Sequence, residues 1–344
     1  MVKLFTHTDL DGIGCEILAK IAFGKDVDVT NSEVSDINKN IKGFLDNPKN
    51  NGIYDKIYIT DISVNKENAE RLSNRPEKVQ LLDHHGTALW LNQYPWAHVR
   101  VLIEGDGRDL SILEDKSIDC IITDHPWLDK KANKGGSRNF AQYDCFEYTP
   151  ADFIEKARVL KQGSFLCEII PAESATNYEY LYRLKKMAED AGFQYYSKVP
   201  WKKGTFVSNT GRKAKNTEDC LIFSLGPARK LRPDKQRGLD ANGNPTRFMS
   251  GAAGMLPTEF DYQQVSKKDR IAQSEKPVEL FETLIEYLTK PEEIVLDQFA
   301  GSGVCGEAAI NTGRGCVLFE KVHELCDKIC DRLGLTAPVI QTAQ

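Results

Sequence analysis

The chain has 344 residues, room for two domains of ordinary size, and a formal net charge of −5, so any contact with nucleic acid must rest on local rather than overall positive charge. No run of about 18 apolar residues occurs, which excludes a membrane-spanning helix, and the acids at Asp9 and Asp11 come too early for a signal peptide. The nine cysteines are odd in number, dispersed and without CxxC pairs, which points to reduced thiols in the cytoplasm and excludes a disulfide or zinc framework.

Residues 1–98 read as a separate unit. A strand over 2–5 leads into His7-Thr8-Asp9-Leu10-Asp11-Gly12 and then a helix over 15–22. A second strand, 56–60, ends at Asp61, and a third, 79–82, ends at Asp83-His84-His85-Gly86-Thr87. Three strands that each end in carboxylates or imidazoles form a metal-site layout, and hard oxygen donors beside imidazole suit Mn²⁺ or Mg²⁺. These residues resemble the first subdomain of the DHH phosphoesterases, a family that includes nanoRNases. The resemblance implies metal ligands at Asp9, Asp11, Asp61, Asp83, His84 and His85, with His7 beside them. The family also requires a further Asp-bearing segment and a substrate-binding subdomain, whereas here a new pattern starts within about 15 residues of the DHH triplet, so the unit reads as truncated.

The junction falls near 92–100, where Pro95 and Trp96 break the pattern and a strand over 99–103 begins. Asp106 follows that strand. The next strand, Cys120 to Thr123, runs into Asp124-His125-Pro126-Trp127. A short apolar run that ends in a charge is the pattern of a parallel strand, and such sheets carry their chemistry just past the carboxyl ends of strands. Asp124 and the carbonyls of His125 and Pro126 can accept hydrogens from an exocyclic amine, and the Trp127 ring can stack on a base. Residues 128–143, with Lys130, Lys131, Lys134 and Arg138, read as a basic, Gly-rich loop over the site. A helix over 150–160, a strand over 164–170, a helix over 178–191 and strands over 193–199 and 221–225 continue the alternation of a doubly wound, mainly parallel sheet.

Residues 198–237 carry eleven Lys and Arg against three acids, in an otherwise acidic protein. Together with Trp201, Phe206 and the irregular stretch 226–265, they read as a phosphate-contacting surface. Ser274-Glu275-Lys276-Pro277 then precedes an amphipathic helix with Leu280, Phe281, Leu284, Ile285 and Leu288 on one face. A strand over 294–296 runs through Asp297-Gln298-Phe299 into Gly301-Ser302-Gly303 and a helix, a turn that lets backbone approach a ligand and offers free amides. A strand over 316–319 ends in Glu320, an acid placed to suit a ribose diol.

From residue 99 to about 335 the chain resembles the S-adenosylmethionine-dependent DNA amino-methyltransferases of the β order. Their DPPY/DPPW box, recognition region, (T/S)xKP helix and DPFxGSG loop correspond to 124–127, about 200–265, 274–277 and 297–303. The resemblance implies a Rossmann-like sheet preceded by the small DHH-like α/β subdomain. It implies S-adenosylmethionine held by Asp106, Lys276, Pro277, Asp297, Phe299, Gly301, Gly303 and Glu320. It implies methyl transfer to adenine N6 of double-stranded DNA at Asp124, His125, Pro126 and Trp127, Asp rather than Ser at 124 favouring adenine over cytosine N4, and a restriction or phage-associated partner. Asp106 also suits a plain strand-to-turn acid. Three departures stand out: His125 in place of the first Pro, Gln298 in place of the Pro of DPF, and Glu275 before the Lys-Pro pair. An imidazole turned into the pocket would weaken or redirect the chemistry. A metal-dependent phosphodiesterase centred on residues 7–85, a non-catalytic nucleic-acid binder and an RNA adenosine methyltransferase are the competing readings.

Overall fold

The computed structural model describes the chain except for residues 84–87, 89–90, 92–93, 95, 128–144, 205–216, 232–236, 240–241, 250–255, 267, 273, 292, 336–338 and 341–344. The expected ligands His84 and His85, the expected loop 128–143 and much of the basic stretch therefore lie outside the described residues. The first part holds strands β1 (Val2–His7), β2 (Val27–Ser32), β3 (Lys56–Thr60) and β4 (Val79–Asp83) and helices α1 (Leu10–Phe23), α2 (Ile37–Asp46), α3 (Asn50–Ile53) and α4 (Lys66–Leu72). Next come β5 (Ala97–Glu104), β6 (Ile118–Thr123), α5 (Pro150–Val159), β7 (Leu160–Pro171), α6 (Tyr178–Asp190), β8 (Phe193–Lys202) and β9 (Thr217–Leu225). A small hairpin of β10 (Arg237–Leu239) and β11 (Pro245–Met249) precedes β12 (Phe260–Asp261). The chain closes with α7 (Val278–Leu288), β13 (Ile294–Asp297), α8 (Val304–Asn311), β14 (Gly315–Glu320), α9 (His323–Leu333) and β15 (Val339–Ile340).

All but the hairpin join one sheet, in the order β12-β8-β9-β7-β6-β13-β14-β5-β4-β3-β1-β2, with β15 beside β5. The sheet is parallel except at β9, which runs antiparallel to β7 and β8. The two halves expected from the sequence are joined through β5: Ala97–Val99 pair with Leu81–Asp83 of β4, and Arg100–Glu104 pair with Cys316–Glu320 of β14. Because both pairings are parallel, the strand ends at Asp61 and Asp83 lie on the same edge of the sheet as those at Asp124, Asp297 and Glu320.

Burial explains the order. The six residues of β6 are all buried, as are those of β13 and β14, which is how central parallel strands covered on both faces must read. One face is packed by a continuous core that runs from Phe5, Ile41 and Leu81 through Trp96 and Val101 to Phe153, Leu184 and Val317. The other face is covered by Leu280, Phe281, Leu284, Ile285 and Leu288 of α7, together with α8 and α9. Among the described residues no helix is long and apolar enough to cross a membrane. All nine cysteines are free thiols, seven of them buried.

Helix α1 starts five residues earlier than its sequence suggests. Asp9 caps it, its Oδ1 accepting from Gly12 N at 3.0 Å, so Asp11 sits in the first helical turn rather than in a loop. Gly12 is required there because a Cβ would lie 2.1 Å from the His7 carbonyl oxygen. Leu10, Leu18 and Ile21 of α1 remain largely exposed.

The range expected for base recognition, about 200–265, includes the strand expected at 221–225, seen as β9, and within the irregular stretch it holds β12, which pairs with Trp201 and Lys202 of β8.

Candidate active site at the carboxyl edge of the sheet

Strands β6, β13, β14 and β5 are neighbours, so Asp124, Asp297, Glu320 and Asp106 gather at four adjoining carboxyl ends. Ligands of doubly wound sheets bind at such places. Asp297 is buried and accepts from Thr123 Oγ1 at 2.9 Å and from Phe299 N at 3.1 Å. Burial pushes its carboxyl up to about 7, and the nearby Asp124 and Glu320 carboxylates add to the rise. A folded-state value above the unfolded one means that the native protein holds the extra proton between about pH 4 and 7, so this group withdraws stability as pH rises through that window. Asp297→Asn keeps both acceptor contacts and should flatten the loss of melting temperature between pH 5 and pH 8. An unchanged slope would show that Asp297 is ionised throughout.

The Gly-rich turn is fixed by its backbone. Gly301 and Gly303 sit at φ 55° and 76°, the left-handed region that glycine occupies without cost. Gly301 N donates to Glu320 Oε2 at 2.8 Å, while Glu320 Oε1 accepts from Lys321 N and Val322 N, both at 2.9 Å. Burial raises the Glu320 carboxyl, and these amides oppose the rise. Gln298, which replaces a proline of the family loop, is buried and donates from Nε2 to Gly107 O at 2.6 Å. That bond ties the turn after β13 to the turn after β5, where Asp106 is exposed and accepts Arg108 N. A Cβ on Gly107 would lie 1.7 Å from the Gln298 carbonyl oxygen. Gly107→Ala should therefore cost about 1–3 kcal/mol by overpacking and weaken cofactor binding, read by urea unfolding and calorimetry. Phe299 is half-buried, its ring 5.4 Å from that of Phe146.

Asp124 stands at the cleft wall with 27% of its side chain exposed, and its Oδ2 is bound by Lys276 Nζ. Lys276 also faces Glu218 Oε2 at 3.6 Å, and Glu218 in turn pairs with Lys203. Burial works against the Lys276 ammonium, yet Asp124 and Glu218 together raise it above the ordinary lysine range. Burial also pushes the Asp124 carboxyl up, and Lys276 opposes that. Lys276, expected among the cofactor-holding residues, grips the catalytic candidate itself. Pro277 is buried and is the N-cap of α7. Glu275 is a local brace: its Oε2 accepts Ile271 N at 2.6 Å and its Oε1 accepts Arg332 Nη1 at 2.8 Å.

The imidazole of His125 turns inward, away from the cleft, and is 1% exposed. Its Nε2 is 3.1 Å from the Tyr180 hydroxyl and its Nδ1 is 3.6 Å from Glu168 Oε2. The rings of Trp127 and Tyr148 each lie 4.2 Å from the imidazole. The Pro126 carbonyl, one of the two expected to receive the amine, already accepts Phe146 N at 3.3 Å, which leaves that of His125 as the better candidate. Glu168, Lys156, Tyr148 and Tyr180 were not foreseen. One signal was available: a lone Glu within the apolar run 165–170 has to find a partner.

The basic stretch looks different once folded. Lys198 pairs with Asp219, Lys202 with Asp261 and Lys203 with Glu218. Arg229 forms two 2.6 Å bonds to Glu293. These four are spent on internal pairs, and Arg212, Lys213, Lys215, Arg232 and Lys235 lie outside the described residues.

In the first part of the chain, His7, Asp9 and Asp61 bring one donor atom each within 4.8 Å of one another. Asp61 follows β3 with φ 58°, a backbone state uncommon outside glycine. The cluster does not include Asp11, which α1 carries into its first turn, or Asp83, at the end of β4.

Two parts of the chain resemble different known proteins. A family model described as an N6/N4 DNA methylase matches residues 118–331. Type II methyltransferase M.HpaI of Haemophilus parainfluenzae is 27% identical over 239 residues, 68% of this chain and 74% of that protein. Oligoribonuclease NrnB of Bacillus subtilis (strain 168) is 46% identical over 111 residues, in the amino-terminal part. That match takes in 31% of this chain, and the chain spans only 28% of the length of that relative. A crystal structure of the M1.HpyAVI–SAM complex overlaps 68% of this chain and 99% of its own, with 20% identity and a TM-score of 0.49.

Proposed function

The chain belongs to the N6/N4 DNA methylase family, and on that premise we propose that it moves a methyl group from S-adenosylmethionine to adenine N6 in double-stranded DNA. The observation that carries the reading is the gathering of Asp124, Asp297, Glu320 and the Gly301–Gly303 turn on adjoining strand ends. The residues suit a cationic cofactor. The cleft is acidic, and a Cβ on Gly301 would meet nothing closer than 3.9 Å, so a ligand has room against the backbone. When bound, the cofactor supplies a methyl group on a sulfonium, already a good leaving group.

The protein's own part is alignment and charge. The adenine amine is a poor nucleophile because its lone pair is delocalised into the ring. Asp124 and the His125 carbonyl would accept its two hydrogens and localise that lone pair. Lys276 occupies Oδ2, and among the described residues no hydrogen bond reaches Oδ1, which is free to receive the amine. After transfer Asp124 is the group at hand to take the departing proton. Trp127, backed by His125, would stack on the extruded base. Asp at 124 favours adenine N6 over cytosine N4.

Labelled S-adenosylmethionine and unmethylated duplex DNA, followed by digestion to nucleosides, test the proposal. Label in N6-methyladenine is expected. Label in N4-methylcytosine would overturn the base assignment, and label only in RNA would replace the substrate.

A second reading concerns the first part of the chain. We infer that His7, Asp9 and Asp61 hold a divalent cation such as Mn²⁺, because hard carboxylate oxygens beside an imidazole suit that ion. Calorimetric titration with Mn²⁺ of the full chain and of Asp61→Asn tests it. Equal uptake by both, or none by either, would exclude a site there. Hydrolysis of short RNA would extend it to the phosphodiesterase reading.

A further inference from the structure

Behind the Asp124–Trp127 turn lies a charged group that the proposed chemistry does not use. Lys156 of α5 and Glu168 of β7 are both 0% exposed and form an ion pair. Glu168 lies beside Thr123 in the register of β6 and β7, one residue before the catalytic candidate. Its Oε2 faces His125 Nδ1 at 3.6 Å and accepts from the Tyr148 hydroxyl at 3.4 Å. The Tyr180 hydroxyl meets His125 Nε2 at 3.1 Å and accepts Tyr148 N at 2.9 Å. Glu168 of β7, Tyr180 of α6 and Tyr148 ahead of α5 thus meet one imidazole, with Lys156 behind Glu168. Two buried charges are expensive to hold in a core and persist where their geometry is useful. Their position suggests the use: residue 125 lacks the proline that would stiffen the turn by itself.

We propose that Glu168, Lys156 and Tyr180 are positioning residues for methyl transfer, which clamp His125 so that its carbonyl and the Trp127 ring meet the target base, in place of the rigidity of a proline. This rests on the methyltransferase reading. The clamp works through a neutral imidazole. Burial lowers the His125 pKa, and the charged or titratable groups around it are Glu168 of β7, Lys156 of α5, Tyr180 of α6, Tyr148, and Asp124 on its own turn. Burial alone would raise Glu168, but Lys156 and then His125 hold it ionised.

A coupled set of variants of the full chain tests the clamp. Glu168→Gln with Lys156→Met removes both charges at nearly constant volume. With His125 in place, this pair should lower kcat by about tenfold or more, as misalignment of reacting groups does, with cofactor Kd unchanged. In the His125→Pro background the same pair should change kcat by less than about twofold, because non-additivity marks residues that act through one another. An equal fall in both backgrounds would show a general structural role and overturn the proposal, as would no fall in the first. Tyr180→Phe offers a milder version if the paired variant does not fold, and should likewise matter only with His125. Nitrogen-15 NMR of the imidazoles gives a readout that does not need turnover. His125 should stay neutral in one tautomer from pH 5.5 to 8, and a titrating signal would remove the clamp. If the unaltered protein transfers no methyl group although His125 is neutral and fixed, the methyltransferase reading fails and the positioning role falls with it, whereas a titrating His125 in an active protein overturns the clamp alone.

Discussion

Replacing Asp124 with asparagine should lower methyl transfer to duplex DNA on the order of a hundred- to a thousandfold, with cofactor binding unchanged. The expectation follows from where the charge sits. The asparagine side chain is isosteric with that of Asp124, and its amide oxygen can still accept Lys276 Nζ, so the turn keeps its shape. What is lost is the anion that accepts the amine hydrogens, so pushing electron density onto the nitrogen, and that takes the proton. Glu218, 3.6 Å from Lys276, remains as its counter-charge, so the substitution does not leave the buried ammonium without a carboxylate. Initial rates with saturating DNA, beside calorimetry with S-adenosylmethionine, separate the two effects. Activity within about a factor of five of the unaltered protein, a barrier change near 1 kcal/mol, would remove Asp124 from the chemistry.

The second large effect concerns stability. Lys156→Met alone leaves Glu168 as a buried carboxylate beside a neutral imidazole, and it should destabilise the fold by about 3–5 kcal/mol at pH 8. Changing both members to Met and Gln should cost much less, since neither charge then needs a partner. The pH dependence carries a sign. In the unaltered protein Glu168 lies below the usual carboxylate range, so its contribution is present above the unfolded value near pH 4 and is lost as pH falls. Without Lys156 the carboxyl is raised instead, and stability should increase on acidification as Glu168 takes up a proton. Urea midpoints at pH 5, 6.5 and 8 read this inversion. A Lys156→Met deficit that stays the same from pH 5 to pH 8 would show that Glu168 carries no charge in either protein.

What the sequence determined by itself is local and periodic. The short run 120–123 had to become a buried parallel strand, and the face Leu280, Phe281, Leu284, Ile285 and Leu288 had to pack as a helix. The glycines at 301 and 303 had to turn where the backbone enters the left-handed region. The order of those pieces carried the family, and the strand-end residues His7, Asp9 and Asp61 marked a second cluster. In each case the information lies within a few neighbouring residues, because helix and strand periods and turn sterics act at that range.

Only the tertiary structure decided the rest, because the deciding partners are far apart in the chain. Lys276 reaches Asp124 across 152 positions and Gln298 reaches Gly107 across 191. Asp11 leaves the cation cluster because capping by Asp9 draws it into α1, a gain that a strand-to-helix reading placed too late. Lys203 and Arg229 look like phosphate contacts in sequence, yet they meet Glu218 and Glu293, since a half-buried cation takes the carboxylate that the fold offers. His125 was legible as a departure but not in its direction. Whether an imidazole faces the cleft or the core depends on Glu168 and Tyr180, and the pairing of β7 with β6 and the packing of α6 on α5 and β8 bring both of them to its inner side.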